Sequence, residues 1–258
     1  MQERLIRLLC TIFLAVSISA CSGGNDDTST TPPPSNPPPP STSAEGLWNG
    51  STNAGRSVAG LVLDDGTYWF LYSVVGNPTV VAGLVQGNSS SQAGSFTSSN
   101  ARDFNLEVPE ILDGTIAGSY VEKQSLSGTV TFVGGGSTTF NGTYNADYDL
   151  TPNLNLIEGT YTGSTATAGG TESVTVTVSS PGLLAGSSAS GCLFSGSVSP
   201  RTRGNVYDVS VTFAGGVCSN GTSTVTGVAF FEAATQRLYS AALNGTRTNG
   251  FIFLGTKP

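Results

Sequence analysis

The residues that could carry out chemistry set the first limit on function. The sequence contains no histidine, so it lacks the commonest general base and the commonest metal ligand. It shows neither a Gly-x-Ser-x-Gly nucleophile elbow nor a phosphate-binding glycine loop of the Walker or dinucleotide type. Paired carboxylates can hydrolyse a glycoside, and Asp64-Asp65 is the obvious adjacent pair. Its position before Gly66, between two apolar runs, reads instead as a solvated hairpin turn. Glu107, Glu110 and Asp113 flank Pro109 and offer the oxygen ligands that calcium prefers, yet they follow no recognised loop spacing. These residues predict a protein that is not an enzyme, with no metal and no cofactor.

Charge narrows the partners. Ten lysines and arginines stand against seventeen acids, a net charge of −7, and such a chain has no footprint for a phosphate backbone. Nucleic acid is therefore not an expected partner. Arg201 and Arg203, in a turn after Pro200, are a local exception. They fit either an acidic partner or a role in keeping the turn soluble, and solubility is the simpler reading.

The elements that would position these side chains begin with an export signal. Arg4 and Arg7 precede an apolar run at 8–18, too short to span a bilayer core of about 30 Å as a helix. The run ends in Ile18-Ser19-Ala20-Cys21, which resembles the lipobox of bacterial lipoproteins. The resemblance implies removal of residues 1–20 and acylation of Cys21, giving attachment to a membrane through an N-terminal lipid. Ser22 stands where an aspartate would favour inner-membrane retention in the resembling proteins, so the outer membrane is expected. Residues 21–43 then form a tether rich in Pro, Ser and Thr, with Pro32-Pro33-Pro34 and a second proline run at 37–40. Such a segment is extended and solvated, a semi-rigid spacer.

If Cys10 leaves with the signal and Cys21 takes the lipid, Cys192 and Cys218 remain as one pair in an oxidising compartment. They flank a hairpin-like stretch with strands at 193–198 and 206–213. A centre near Asn205 would place the two cysteines opposite each other. A disulfide closing such a loop adds roughly 3 kcal/mol in the chain-entropy picture. Zinc is the weaker alternative, since two cysteines without histidine do not complete a usual site.

Residues 44–258 read as strand almost throughout, with valine, threonine and aromatic runs punctuated by Gly, Asn, Ser and Asp. Glu45-Gly46-Leu47-Trp48-Asn49-Gly50-Ser51-Thr52 returns as Glu158-Gly159-Thr160-Tyr161-Thr162-Gly163-Ser164-Thr165, which divides the region into two similar units, 44–153 and 154–258. Strand starts fall near Leu47, Val58, Tyr68, Val80, Gly94, Ile116, Leu126 and Thr138. In the second unit they fall near Thr160, Val174, Leu183, Leu193, Val206, Val225, Leu238 and Phe251. The predicted class is all-β, with two tandem antiparallel units of about eight short strands. Small up-and-down barrels fit best, because closure removes exposed edges. Paired β-sandwiches match the same spacing, and one larger barrel is a third option.

Tyr68-Trp69-Phe70-Leu71-Tyr72 is bulky on both faces, as is Phe251-Ile252-Phe253-Leu254. One face can fill a barrel while the other meets the second unit or an outside partner. Tyr68, Trp69, Phe70, Tyr72, Arg201 and Arg203 are accordingly the candidate binding patch. The plan of lipidated cysteine, spacer and β units is similar to that of surface lipoproteins such as transferrin-binding protein B and factor H-binding protein. The stretch nearest to their barrel motifs is 228–234. The strand count also resembles the calycins, whose barrels hold small apolar ligands. These likenesses imply a non-catalytic binding or interaction module for a protein or glycan. The alternative is a small apolar ligand carrier with a cavity lined by Trp69, Phe194 or Phe253. A carboxylate-based hydrolase ranks below both.

Overall fold

The computed structural model describes residues 43–258 apart from 109. The expected signal, the lipidated Cys21 and nearly all of the tether lie outside the described residues.

Eight antiparallel strands form the first barrel: β1 (Gly46–Thr52), β2 (Ser57–Val62), β3 (Thr67–Val74), β4 (Asn77–Asn88), β6 (Ser95–Asn105), β7 (Glu110–Val121), β8 (Ser125–Phe132) and β9 (Ser137–Asn145). A short β5 (Ser90–Gln92) adds a hairpin arm to β6. Closure comes from two ladders, β1 with β9 and β4 with β6. The second barrel runs β10 (Gly159–Thr167), β11 (Gly170–Val178), β12 (Leu183–Ser188), β13 (Leu193–Pro200), β14 (Tyr207–Phe213), β15 (Thr224–Glu232), β16 (Arg237–Leu243) and β17 (Gly250–Thr256), and β10 pairs with β17 to close it. Pairing of first with last strand in each unit distinguishes barrels from sandwiches. The expected all-β class with two tandem barrels is thus present, and each expected run marks one of these strands.

The repeated octapeptide has a common structural purpose. Trp48 on β1 is buried inside the first barrel and donates its indole N–H to the Ala44 carbonyl at 3.0 Å. Tyr161 on β10 is buried inside the second and donates its hydroxyl to the Ile157 carbonyl at 2.9 Å. Each barrel therefore starts with a large ring turned into its end and satisfied by a carbonyl four residues upstream. Two residues on, Gly50 and Gly163 face Gly142 and Gly255 across the closing ladders. A Cβ there would come within 1.7 Å of the Asn141 carbonyl oxygen and 2.0 Å of that of Leu254, so glycine permits the seam to close.

Three apolar clusters hold the molecule together. Trp48, Tyr68, Phe70, Phe96, Tyr120 and Phe140 lead the first interior, and Tyr161, Val176, Tyr207, Phe213, Phe231 and Phe253 lead the second. A third lies between the barrels, with Leu47, Leu61, Trp69 and Leu84 of the first meeting Val228, Ala241, Leu243 and Ile252 of the second. This explains the two-sided strands. On β3, Tyr68, Phe70 and Tyr72 point inward while Trp69 and Leu71 point to the other barrel. On β17, Phe251 and Phe253 point inward while Ile252 and Leu254 complete the contact.

The Cys192–Cys218 disulfide is formed, with an S–S distance of 2.04 Å and a Cα–Cα distance of 4.7 Å. Its route differs from the expected one. Phe194 pairs with Phe213, which centres the hairpin between Arg203 and Gly204 rather than near Asn205. The two cysteines are therefore not facing partners on the ladder. The chain after β14 turns back, through Ala214 N–H to the Leu193 carbonyl and Cys218 N–H to the Gly215 carbonyl, and returns Cys218 to its partner.

Candidate functional site

The hairpins β1–β2, β3–β4, β6–β7 and β8–β9 gather at one end of the first barrel, opposite the end where the chain runs into β1 from residue 43. There the interior opens into a cavity of about 220 Å³ lined by Val58, Phe70, Val85, Val130, Phe132 and Phe140. Asp103 and Tyr72 line the same space. The Asp103 side chain is almost wholly buried, at 5% exposure, and its Oδ1 accepts a hydrogen bond from the Tyr72 hydroxyl at 2.8 Å.

Local sequence positions this pair. Tyr72 on β3 faces Gly83 on β4. A Cβ at Gly83 would lie 2.1 Å from the Tyr72 oxygen and 2.7 Å from the Phe104 carbonyl oxygen, so the missing side chain is what lets the phenol cross toward β6. Asp103 reaches the interior because β6 is bulged. Its register against β7 shifts between Ser98 and Ala101, and the buried positions change from Phe96 and Ser98 to Ala101 and Asp103. One extra residue thus turns Asp103 inward and Arg102 outward.

Burial pushes the Asp103 carboxyl up to about 6, against the opposing pull of the Tyr72 hydrogen bond and the Arg56 charge. Burial and the neighbouring carboxylate also push the Tyr72 phenol well above its ordinary range. Arg56 lies over the Tyr72 ring, 5.5 Å from its centroid. Its guanidinium bonds the Ser73 carbonyl at 2.9 Å and Glu107 at 2.7 Å. The result is an apolar mouth with one buried hydrogen-bond acceptor and an ion pair at its edge. A retaining or inverting glycosidase works with two carboxyls across the bond, whereas here Glu107 is committed to Arg56.

The second barrel is packed. Its interior leaves a space of about 50 Å³, bordered by Phe194, Phe213, Phe251 and Phe253. The expected carrier cavity beside Phe194 or Phe253 is therefore less than a quarter of the volume at the first-barrel mouth, about 50 against about 220 Å³. Trp69 lies outside both barrel interiors, buried in the contact between them.

The candidate patch does not assemble on the surface. Tyr68 is fully buried, with its hydroxyl 2.9 Å from Ser98 Oγ, and Phe70 packs against Phe96 and Phe140. Of the set, Phe70 and Tyr72 line the mouth cavity. Arg201 binds Asp64 at 2.7 Å and Asp208 at 2.6 Å, and Arg203 binds Glu45 at 2.5 Å. These arginines tie the β13–β14 turn to the first barrel, which replaces the solubility reading. The same contacts correct the reading of Asp64-Asp65 as merely solvated, because the Arg201 hydrogen bond and charge hold the Asp64 carboxyl below its ordinary range despite burial. A second tie inserts Arg247 beneath the first barrel, bonding the carbonyls of Gln86 and Asn100, while Arg102 bonds the carbonyls of Thr246 and Arg247.

Glu107 and Asp113 are separated by their own partners, Arg56 and Arg102. Among the described residues no group of three or more His, Cys, Asp or Glu side chains could hold a metal ion.

Sequence reasoning missed Asp103, Arg56 and Gly83. The available signal was an acid within a strand of alternating pattern, but strict alternation from Phe96 would have turned Arg102 inward instead.

No protein-family model matches the chain, and no curated protein matches it. Among solved structures it is similar to a Bacteroides fragilis NCTC 9343 chain provisionally described as an outer membrane protein. That match has 17% identity and a TM-score of 0.25, covering 83% of this chain and 96% of the other. It is also similar to a mutant of the vaccine antigen transferrin binding protein B from Haemophilus parasuis Hp5. There the identity is 8% and the TM-score 0.28, over 79% of this chain and 66% of that one. At these values neither likeness carries weight for function.

Proposed function

We propose that the chain is an outer-membrane lipoprotein, anchored through Cys21, whose folded part is a non-catalytic binding module with its ligand site in the mouth of the first barrel. The observation that carries this reading is the contrast between the barrels. One is packed, and the other keeps a cavity of about 220 Å³ around a buried carboxylate. Barrel mouths with apolar walls and one or two polar handles are where small ligands bind. Val75, Val80, Val108, Ile111 and Val133 are exposed on the hairpins at that same end, so the rim is apolar as well. The lipobox-like motif supports the anchor.

Native mass spectrometry of the exported protein tests the site. A bound mass that is lost from a Val58→Phe variant, whose ring projects into the cavity, supports it. A bound mass indifferent to that substitution moves the binding elsewhere. Incorporation of labelled palmitate, abolished by Cys21→Ser, tests the anchor.

A further inference from the structure

Resting on the reading of the first-barrel mouth as a ligand site, we infer that it takes a small primary ammonium with an apolar body, the ammonium seated on the carboxylate of Asp103. The hydrogen bond from Tyr72 to Oδ1 is the one that Asp103 receives among the described residues. Asp103 lines the cavity, and its second oxygen, reached by no donor of the described residues, stays open to whatever fills that space. Arg56 does not fill that role, because its guanidinium is held by Glu107 and the Ser73 carbonyl. The charged groups at the mouth are thus Asp103, Glu107 and, opposite Asn105 at the start of β7, Glu110 against Arg56, a surplus of negative charge. Directly facing Asp103 are Val85 from β4 and Leu112 from β7, and Asp113 of β7 is paired with Arg102. Tyr72 completes the titratable groups and is spent as a donor to Asp103.

The remaining walls suit the rest of such a ligand. Phe70 and Phe140 offer aromatic faces, which attract a cation when water is excluded. The cavity of about 220 Å³ has room for a short alkylamine or a single ring with an aminoalkyl arm. A fatty acid would place a second carboxylate against Asp103 and is disfavoured by like charge.

The test is isothermal titration calorimetry of the full mature chain with three probes of one length: n-hexylamine, n-hexanol and hexanoate. At pH 7.5 hexylamine is expected to bind, hexanol to bind at least tenfold more weakly, and hexanoate not to bind. Hexylamine stays protonated down to pH 4.5, whereas Asp103, titrating near 6, becomes about 97% neutral there, so its affinity should fall by about 30-fold. In Asp103→Asn the pH response should vanish and hexylamine should bind no better than hexanol. The pH series on the unaltered protein serves if that variant misfolds.

Hexanol binding as tightly as hexylamine, unchanged by pH or by Asp103→Asn but lost in Val58→Phe, would overturn the ammonium inference and leave the mouth as a ligand site. Absence of binding by all three probes, together with a native mass indifferent to Val58→Phe, would overturn both.

Discussion

Replacing Asp103 with asparagine should stabilise the protein, by an amount that grows with pH. The substitution keeps the shape of the side chain and an oxygen for the Tyr72 hydroxyl, but removes the charge. The Asp103 carboxyl titrates at about 6 in the folded barrel against an ordinary value of 3.8, so the folded chain binds this proton more tightly than the unfolded chain does. Stability from the group is therefore fully present below 3.8 and is lost as pH rises through about 6. At about 1.4 kcal/mol per tenfold change, the interval amounts to about 3 kcal/mol above pH 7 and about 0.5 kcal/mol near pH 4. The Tyr72 hydrogen bond is already contained in that shift, whereas the asparagine N–H2 faces apolar walls without an acceptor, which returns about 1 kcal/mol. The net expectation at pH 7.5 is a gain of about 2 kcal/mol, or roughly 4–8 °C in Tm for a fold of this size. Paired thermal or urea melts of the two proteins across pH 4 to 7.5 isolate the effect, because the other carboxylates cancel in the difference. A difference that does not change with pH, or an asparagine variant that is the less stable at pH 7.5, would refute the burial argument. A charge kept at such a cost in a barrel that could have packed an apolar residue is the pattern expected of a binding group.

Other perturbations reach the scaffold. Reducing the Cys192–Cys218 bond, with its sequence separation of 26, should cost about 3 kcal/mol and lower Tm by roughly 6–12 °C, read by calorimetry with and without a reductant. Arg201→Ala removes contacts to Asp64 and Asp208 from a side chain only 17% exposed. It should cost about 1–2 kcal/mol, and a double-mutant cycle with Asp64→Ala should return a coupling near 1 kcal/mol that shrinks in high salt. Gly83→Ala forces a Cβ against both the Tyr72 hydroxyl and the Phe104 carbonyl and should destabilise by about 2–3 kcal/mol. Combining it with Tyr72→Phe should restore only part of that in urea melts, since the backbone contact persists.

The strands and their pairing were legible because period-two patterns and turn residues are local. Tyr68 to Tyr72 announced a strand buried on both faces, and the octapeptide repeat announced two copies of one device. What escaped was set by longer-range geometry. The bulge in β6 is a single unpaired step, invisible in composition, yet it decides that Asp103 rather than Arg102 faces inward. Arg201 and Arg203 looked like solubilising turn residues because their acidic partners, Asp64 and Glu45, come from the other barrel. The cysteine pairing could be inferred from their number, but not its route, since the hairpin centre fell between Arg203 and Gly204 and a returning turn made up the difference.

The contact between the barrels also bears on the order of events in folding. The first barrel has all eight of its strands once Asn145 has been made, and a ribosome or export channel delivers it first. Its outward face of Leu47, Leu61, Trp69 and Leu84 has no cover at that moment, because Val228, Ala241, Leu243 and Ile252 come from the final three strands. The second barrel in turn closes only when β17, the last of the described strands, reaches β10. A half-made molecule thus carries a finished barrel with a greasy flank, a species prone to self-association until the last strand arrives.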